Sequence, residues 1–100
     1  MAFEEGMLVV ILPSSSAIRI VGAPVEAFPY KIGIIERKDK HSEKRWDVRV
    51  EGEKHLWHIH ENNMKPLLPF PLPPDSQKLS PKEAFQKHLT EIICALAFST

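Results

Sequence analysis

The clearest pattern lies between Tyr30 and Leu67, where apolar and polar positions alternate in short runs separated by charged or glycine-containing turns. Trp46, Val48 and Val50 fall on one face of an extended segment and Asp47, Arg49 and Glu51 on the other, the two-residue period of a half-buried strand. Upstream, Lys31-Ile32-Gly33-Ile34-Ile35-Glu36 is rich in β-branched residues, and its internal glycine marks a bend, a bulge or a close backbone approach. Downstream, Gly52 sits in a turn and His55-Leu56-Trp57-His58-Ile59-His60 returns, which predicts an antiparallel hairpin with Trp46–Val50. Two registers compete: His55, Trp57 and Ile59 inward, or Leu56, His58 and His60 inward. At about 25 cal/mol per Å2 of apolar surface the first buries more, so Trp57 and Ile59 are expected inside.

The flanks are less regular. Gly6 opens the continuous apolar run Met7–Leu12, which Pro13 stops; a run of this kind suggests a strand covered on both faces by a later part of the chain. Residues 14–29 read as a long loop carrying one short extended piece at Ala17–Val21, because Gly22, Pro24 and Pro29 interrupt the chain repeatedly. Between Glu36 and Arg45 there is no apolar residue, as expected of a solvated hairpin loop. From Pro66 to Pro74 the composition turns proline-rich, favouring an extended linker whose Leu67, Leu68, Phe70 and Leu72 are apolar enough to lie against a β-barrel. Ser80-Pro81-Lys82-Glu83 then announces a helix, with an N-cap serine, a proline at the first helical position and a capping-box glutamate. Phe85, Leu89, Ile92, Ile93 and Leu96 recur at helical spacing and predict one amphipathic helix of about sixteen residues.

A first strand, a long first loop, a Gly-x-Ile strand, a Trp-x-Val-x-Val strand, a return strand and a closing Asn-x-Met-x-Pro-Leu resemble the small five-stranded barrel of the Src-homology-3-like class. KOW-type modules and bacterial or plastid accessory proteins of that class share this order. Gly33, Trp46-Asp47-Val48-Arg49-Val50 and Glu61–Leu67 carry the resemblance, which spans about residues 6–68. It implies a mainly β fold: a Src-homology-3-like barrel over residues 1–68, a proline-rich linker over 69–79 and one amphipathic helix over 80–98. The acidic Ala-Leu-Tyr-type first strand of peptide-binding members is missing, which argues against recognition of proline-rich peptides.

Composition adds bounds. One hundred residues fit one domain and can bury a core without disulfide or metal staples. Thirteen basic and thirteen acidic side chains cancel, which removes the general electrostatic case for nucleic acid. Cys94 is the single cysteine, so an intrachain disulfide is excluded; set among Ile92, Ile93 and Leu96, it reads as an inert buried thiol. The apolar runs are too short for a membrane span, and a mean hydropathy of −0.20 agrees with a cytoplasmic protein.

Candidate chemistry is sparse. No glycine-rich phosphate loop, Cys-x-x-Cys pair or positioned Ser/His/Asp set supports catalysis, and no cofactor is implied, so the chain is expected not to be an enzyme. The leading expectation is a protein-interaction module, an accessory or regulatory subunit using exposed residues of the first loop and the basic hairpin: Phe28, Tyr30, Arg37, Lys38, Lys40, Arg45 and Arg49. A second is a KOW-type nucleic-acid module with Trp46 or Tyr30 as a stacking platform, although Glu36, Asp39 and Glu43 interleave with the cations. A third is metal binding at His55, His58 and His60, with His41 across the hairpin; His58 and His60 share a strand face about 7 Å apart. The helix supplies a further surface: if the barrel covers its apolar stripe the chain is monomeric, and if not the stripe serves self-association, as a homo-oligomer, or docking of a partner.

Overall fold

The computed structural model describes residues 3–12 and 31–97; the extended piece expected at Ala17–Val21 and the contact residues Phe28 and Tyr30 lie outside them. The elements in order are β1 (Leu8–Ile11), β2 (Ile32–Lys38), β3 (Arg45–Val50), β4 (Trp57–His60), a 3-10 turn (Glu61–Asn63), β5 (Met64–Pro66), α1 (Pro74–Gln77), α2 (Pro81–Lys87) and α3 (Leu89–Ala97). The strands form one antiparallel sheet in the order β4-β3-β2-β1-β5. The sheet is open: β4 and β5 are its two edges and are joined in sequence by the 3-10 turn rather than by a ladder.

Both faces are covered, as the continuous apolar run of β1 requires. On one face Met7, Val9 and Ile11 meet Ile35, Val48, Val50, Ile59 and Met64, with Trp46 and Trp57 at the margin. The hairpin register pairs Trp46 with Ile59 and Val48 with Trp57, so Trp57 and Ile59 do point inward. On the other face Leu8 and Ile34 are buried by Leu68, Leu72, Ala84 and Ile92 of the tail. Burying a leucine or isoleucine side chain stabilises by about 1.5–3 kcal/mol, so this second layer holds the tail firmly to the sheet.

Polar contacts fix the tail in place. Arg49 on β3 and Glu51 just beyond its end lie toward the tail, and neither is simply solvated. The Arg49 guanidinium donates to the carbonyls of Leu79 at 2.8 Å and Gln77 at 2.5 Å, and to Glu36 Oε1 at 2.6 Å. Glu51 Oε1 accepts from the backbone N–H of Lys82 at 2.7 Å, satisfying one of the unpaired donors at the start of α2. Gly6 sits at the other end of the same seam. Its N–H donates to Ile35 O at 2.7 Å and its carbonyl accepts from Leu72 N–H at 2.9 Å. A Cβ there would lie 2.5 Å from Gln77 Nε2, and φ of +84° disfavours any other residue.

Three expectations are corrected. The proline-rich stretch is not extended throughout, because Pro74 opens α1. The single helix is divided: Ser80 and Glu83 form the capping box as expected, but His88 leaves helical geometry (φ −105°, ψ 19°) between α2 and α3. The apolar stripe is therefore only half used. Ala84 and Ile92 are buried, whereas Leu89 and Ile93 are 41% and 56% exposed. Cys94 is exposed too, rather than buried among its apolar neighbours, and lies beside Leu68 and Phe70 of the tail.

Candidate functional site

The most concentrated chemistry lies at the open end of the β2–β3–β4 meander, and a β-bulge puts it there. Ile35 pairs with Val48, and the next pair is Arg37 with Asp47, so Glu36 is skipped. Without that extra residue Glu36 would face Asp47, carboxylate against carboxylate. With it, Arg37, Asp47 and His58 line up across three neighbouring strands, since Asp47 also pairs with His58.

Asp47 is the centre of the row and is 4% exposed. A buried carboxylate needs partners, and it has them. Arg37 Nε donates to Oδ2 at 2.8 Å, while His58 Nδ1 lies 2.5 Å from Oδ1. Asp39 follows β2 at the mouth of the hairpin. Its Oδ1 accepts from the His41 backbone N–H at 2.8 Å, an Asx turn, and its Oδ2 lies 3.7 Å from His58 Nδ1. Asp39, Asp47 and His58 thus each direct one donor atom to a shared point, all three within 4.8 Å of one another.

A groove of about 840 Å3 opens beside this cluster, lined by Asp39, His41, Arg45, Lys54, His55 and Trp57 among others. The residues expected to contact a partner are dispersed around it. Arg45 lines the groove and Lys40 is exposed in the turn above it. Lys38 lies over the Trp46 ring, 5.6 Å from its centroid, a cation–π contact. Arg37 is held by Asp47, and Arg49 faces the tail, where its guanidinium is committed to backbone carbonyls.

The three histidines expected together are separated by their partners. His55 lines the groove, His58 turns to the two aspartates, and His60 Nδ1 accepts from Asn62 N–H at 3.0 Å, capping the 3-10 turn. Asp39 and Asp47 are the residues sequence reasoning missed. The signal was present for Asp47: once Trp57 and Ile59 are placed inward, His58 must face outward on the strand beside it.

A Ser–His–Glu arrangement occurs elsewhere, under the helices. Ser76 Oγ is 2.8 Å from His88 Nε2, and His88 Nδ1 is 2.9 Å from Glu91 Oε1. Glu91 accepts the Nδ1 proton, which leaves Nε2 to accept from the serine hydroxyl. That is the donor order of a hydrolase triad. Ser76, however, is fully buried, and a nucleophile without access to substrate cannot attack it. The contact joins α1 to the α2–α3 junction, so its role is to hold helices together.

No helix among the described residues is long and apolar enough to cross a membrane. No protein-family model, curated protein or solved structure matches this chain.

Proposed function

We propose that the chain is a non-catalytic protein-binding module, an accessory or regulatory subunit that grips its partner at the hairpin end of the sheet. The observation that carries this reading is the groove beside the β2–β3 hairpin, which has Trp57 and Leu56 on its wall and Lys54, Arg45, Asp39 and His55 around them. Aromatic and arginine side chains framed by mixed polar groups are the composition of an interface rather than of a catalytic pocket. Both strands of the hairpin are braced by the Arg37–Asp47 pair, so the loops stand on a rigid base. Against the KOW-type reading, Arg37, Lys38 and Arg49 already have intramolecular partners, which thins the cationic surface available to phosphates.

The strand order β4-β3-β2-β1-β5, with a 3-10 turn between β4 and β5, supports assigning the sheet to the Src-homology-3-like class, with the barrel completed by approach of its two edges. Exposed Leu89 and Ile93 support a second surface for self-association through the helices.

The test is capture from an extract of the cells that express the chain, followed by cross-linking and mass spectrometry. Lysine cross-links are expected at Lys40, Lys44 and Lys54. A Lys40→Glu/Arg45→Glu variant should lose them with its melting unchanged, since both side chains are exposed. Lys65→Glu, on β5, should bind as the parent does. Equal capture by the double variant removes the groove from the interface. Loss of capture after nuclease, with a steep salt dependence, moves the reading to nucleic acid.

A further inference from the structure

The hairpin cluster has a property that protein binding does not use. Asp39 and Asp47 are both withdrawn from solvent, with side chains 10% and 6% exposed, and among the described residues Arg37 is the permanent cation paired with them. Arg37 neutralises Asp47 through Oδ2. Asp39 has a backbone N–H on Oδ1 and a histidine near Oδ2. Two carboxylates gathered beside one guanidinium in a poorly solvated place favour a further positive charge.

The arrangement of donors says what kind. In each aspartate one oxygen is fixed from behind: Oδ1 of Asp39 by His41 N–H and Oδ2 of Asp47 by Arg37 Nε, both at 2.8 Å. The other oxygen of each is left aimed at His58 Nδ1. Outer partners that orient ligand atoms in this way are the usual support of a metal centre. Donor atoms about 2.0–2.2 Å from a zinc-sized ion stand roughly 3.3 Å apart in tetrahedral geometry. The 3.7 Å between His58 and Asp39 already suits that. The 2.5 Å between His58 and Asp47 must widen, and the His58 side chain, 59% exposed, is free on its solvent side to swing out. The groove opens on the same point, so water or His41 can complete the coordination.

We propose that Asp39, Asp47 and His58 form a binding site for a divalent transition-metal ion of zinc type, at the wall of the groove. One imidazole and two carboxylates suit a borderline ion better than magnesium or calcium, which prefer oxygen alone and more ligands. The site differs from the run of three histidines suggested by sequence, since His60 is engaged at the 3-10 turn. It shares Asp39 with the groove of the protein-binding reading but stands independently of it, because metal binding is measured on the chain alone with no partner present.

The experiment uses the full chain without an affinity tag. Cobalt(II) is titrated as the probe, its visible absorption reporting coordination number, and zinc(II) is then added in competition. Saturable one-to-one binding is expected, displaced by zinc and not by magnesium. Asp39→Asn and His58→Gln should each weaken it at least tenfold, and His55→Gln and His60→Gln should not. Both diagnostic positions lie at the surface end of the hairpin, and unchanged melting confirms that they fold. Absence of saturable binding overturns the proposal. So does binding that survives His58→Gln and is lost in His55→Gln or His60→Gln, which would place the ion on the flanking histidines.

Discussion

Arg37 and Asp47 face each other across β2 and β3 only because Glu36 is bulged out of the ladder between them. The Arg37 side chain is 59% exposed and the Asp47 side chain 6%, so the two partners do not lose equally when the pair is broken. Arg37→Met leaves a buried carboxylate with one partner fewer and should destabilise the fold by about 1–3 kcal/mol. Replacing both, as Arg37→Met/Asp47→Leu, should recover most of that loss, because the Asp47 charge is removed together with its partner. Urea denaturation of the two variants decides it; a double variant no more stable than the single one refutes the account.

Arg49 makes a different case, a cation that serves backbone carbonyls as well as a carboxylate. Its donors reach the carbonyls of Gln77 and Leu79 as well as Glu36. Arg49→Lys keeps the charge but loses the planar fork, and should cost about 1–2 kcal/mol. Amide exchange between Pro74 and Lys87 should accelerate while β3 stays protected. Uniform acceleration across the chain would mean that the tail and sheet open as one unit.

Gly33 meets one of the readings open to a strand glycine: close approach. A Cβ at this position would lie 2.5 Å from Val48 Cγ1 and 3.2 Å from the Arg49 carbonyl oxygen. Gly33→Ala should therefore destabilise by about 1–3 kcal/mol through overpacking. Its partner prediction is rescue by Val48→Ala, which removes the clashing methyl; thermal melting of both variants measures the coupling.

Asp75, ahead of α2 in the chain, is paired with Lys87 at the end of that helix. Its hydrogen bond from Lys87, at 3.2 Å, and the charge of that lysine hold its pKa below the usual aspartate range. A depressed folded pKa means that its small contribution is present above the unfolded value and fades as pH falls through the folded one. Carboxyl NMR should show Asp75 titrating at lower pH than a free aspartate, and Lys87→Met should return it to normal. No change in that variant would exclude the lysine as the cause.

The hairpin and the helix start were legible because their signals are local. Alternation fixed the inner face of β3, burial arithmetic chose the inner face of β4, and Ser80 with Glu83 announced the start of α2. What covers an outer face is not a local property. Asp47, Arg49 and Glu51 all look like solvated positions in a two-residue period, yet each is used by an element distant in sequence or by the bulge opposite. The bulge itself shifts pairing by one residue without changing composition. The break at His88 was hidden for a similar reason: Leu89 and Ile93 fit the helical stripe, but the chain buries Ala84, His88 and Ile92 instead.

The order of strands has a consequence for how the chain acquires its shape. β2, β3 and β4 are neighbours in sequence and in the sheet, so their loops close over short distances. β1 sits between β2 and β5, and its pairing of Ile11 with Met64 spans about half of the chain. Loop closure over such a span costs more entropy, and contacts of that kind form late. On the ribosome the meander is free to fold while β5 and its following helices are still being made. Mutational analysis of folding kinetics should then give high φ-values at Val48 and Ile59 and low ones at Met64 and Leu72, with the first strand waiting, unpaired on one edge, for the last.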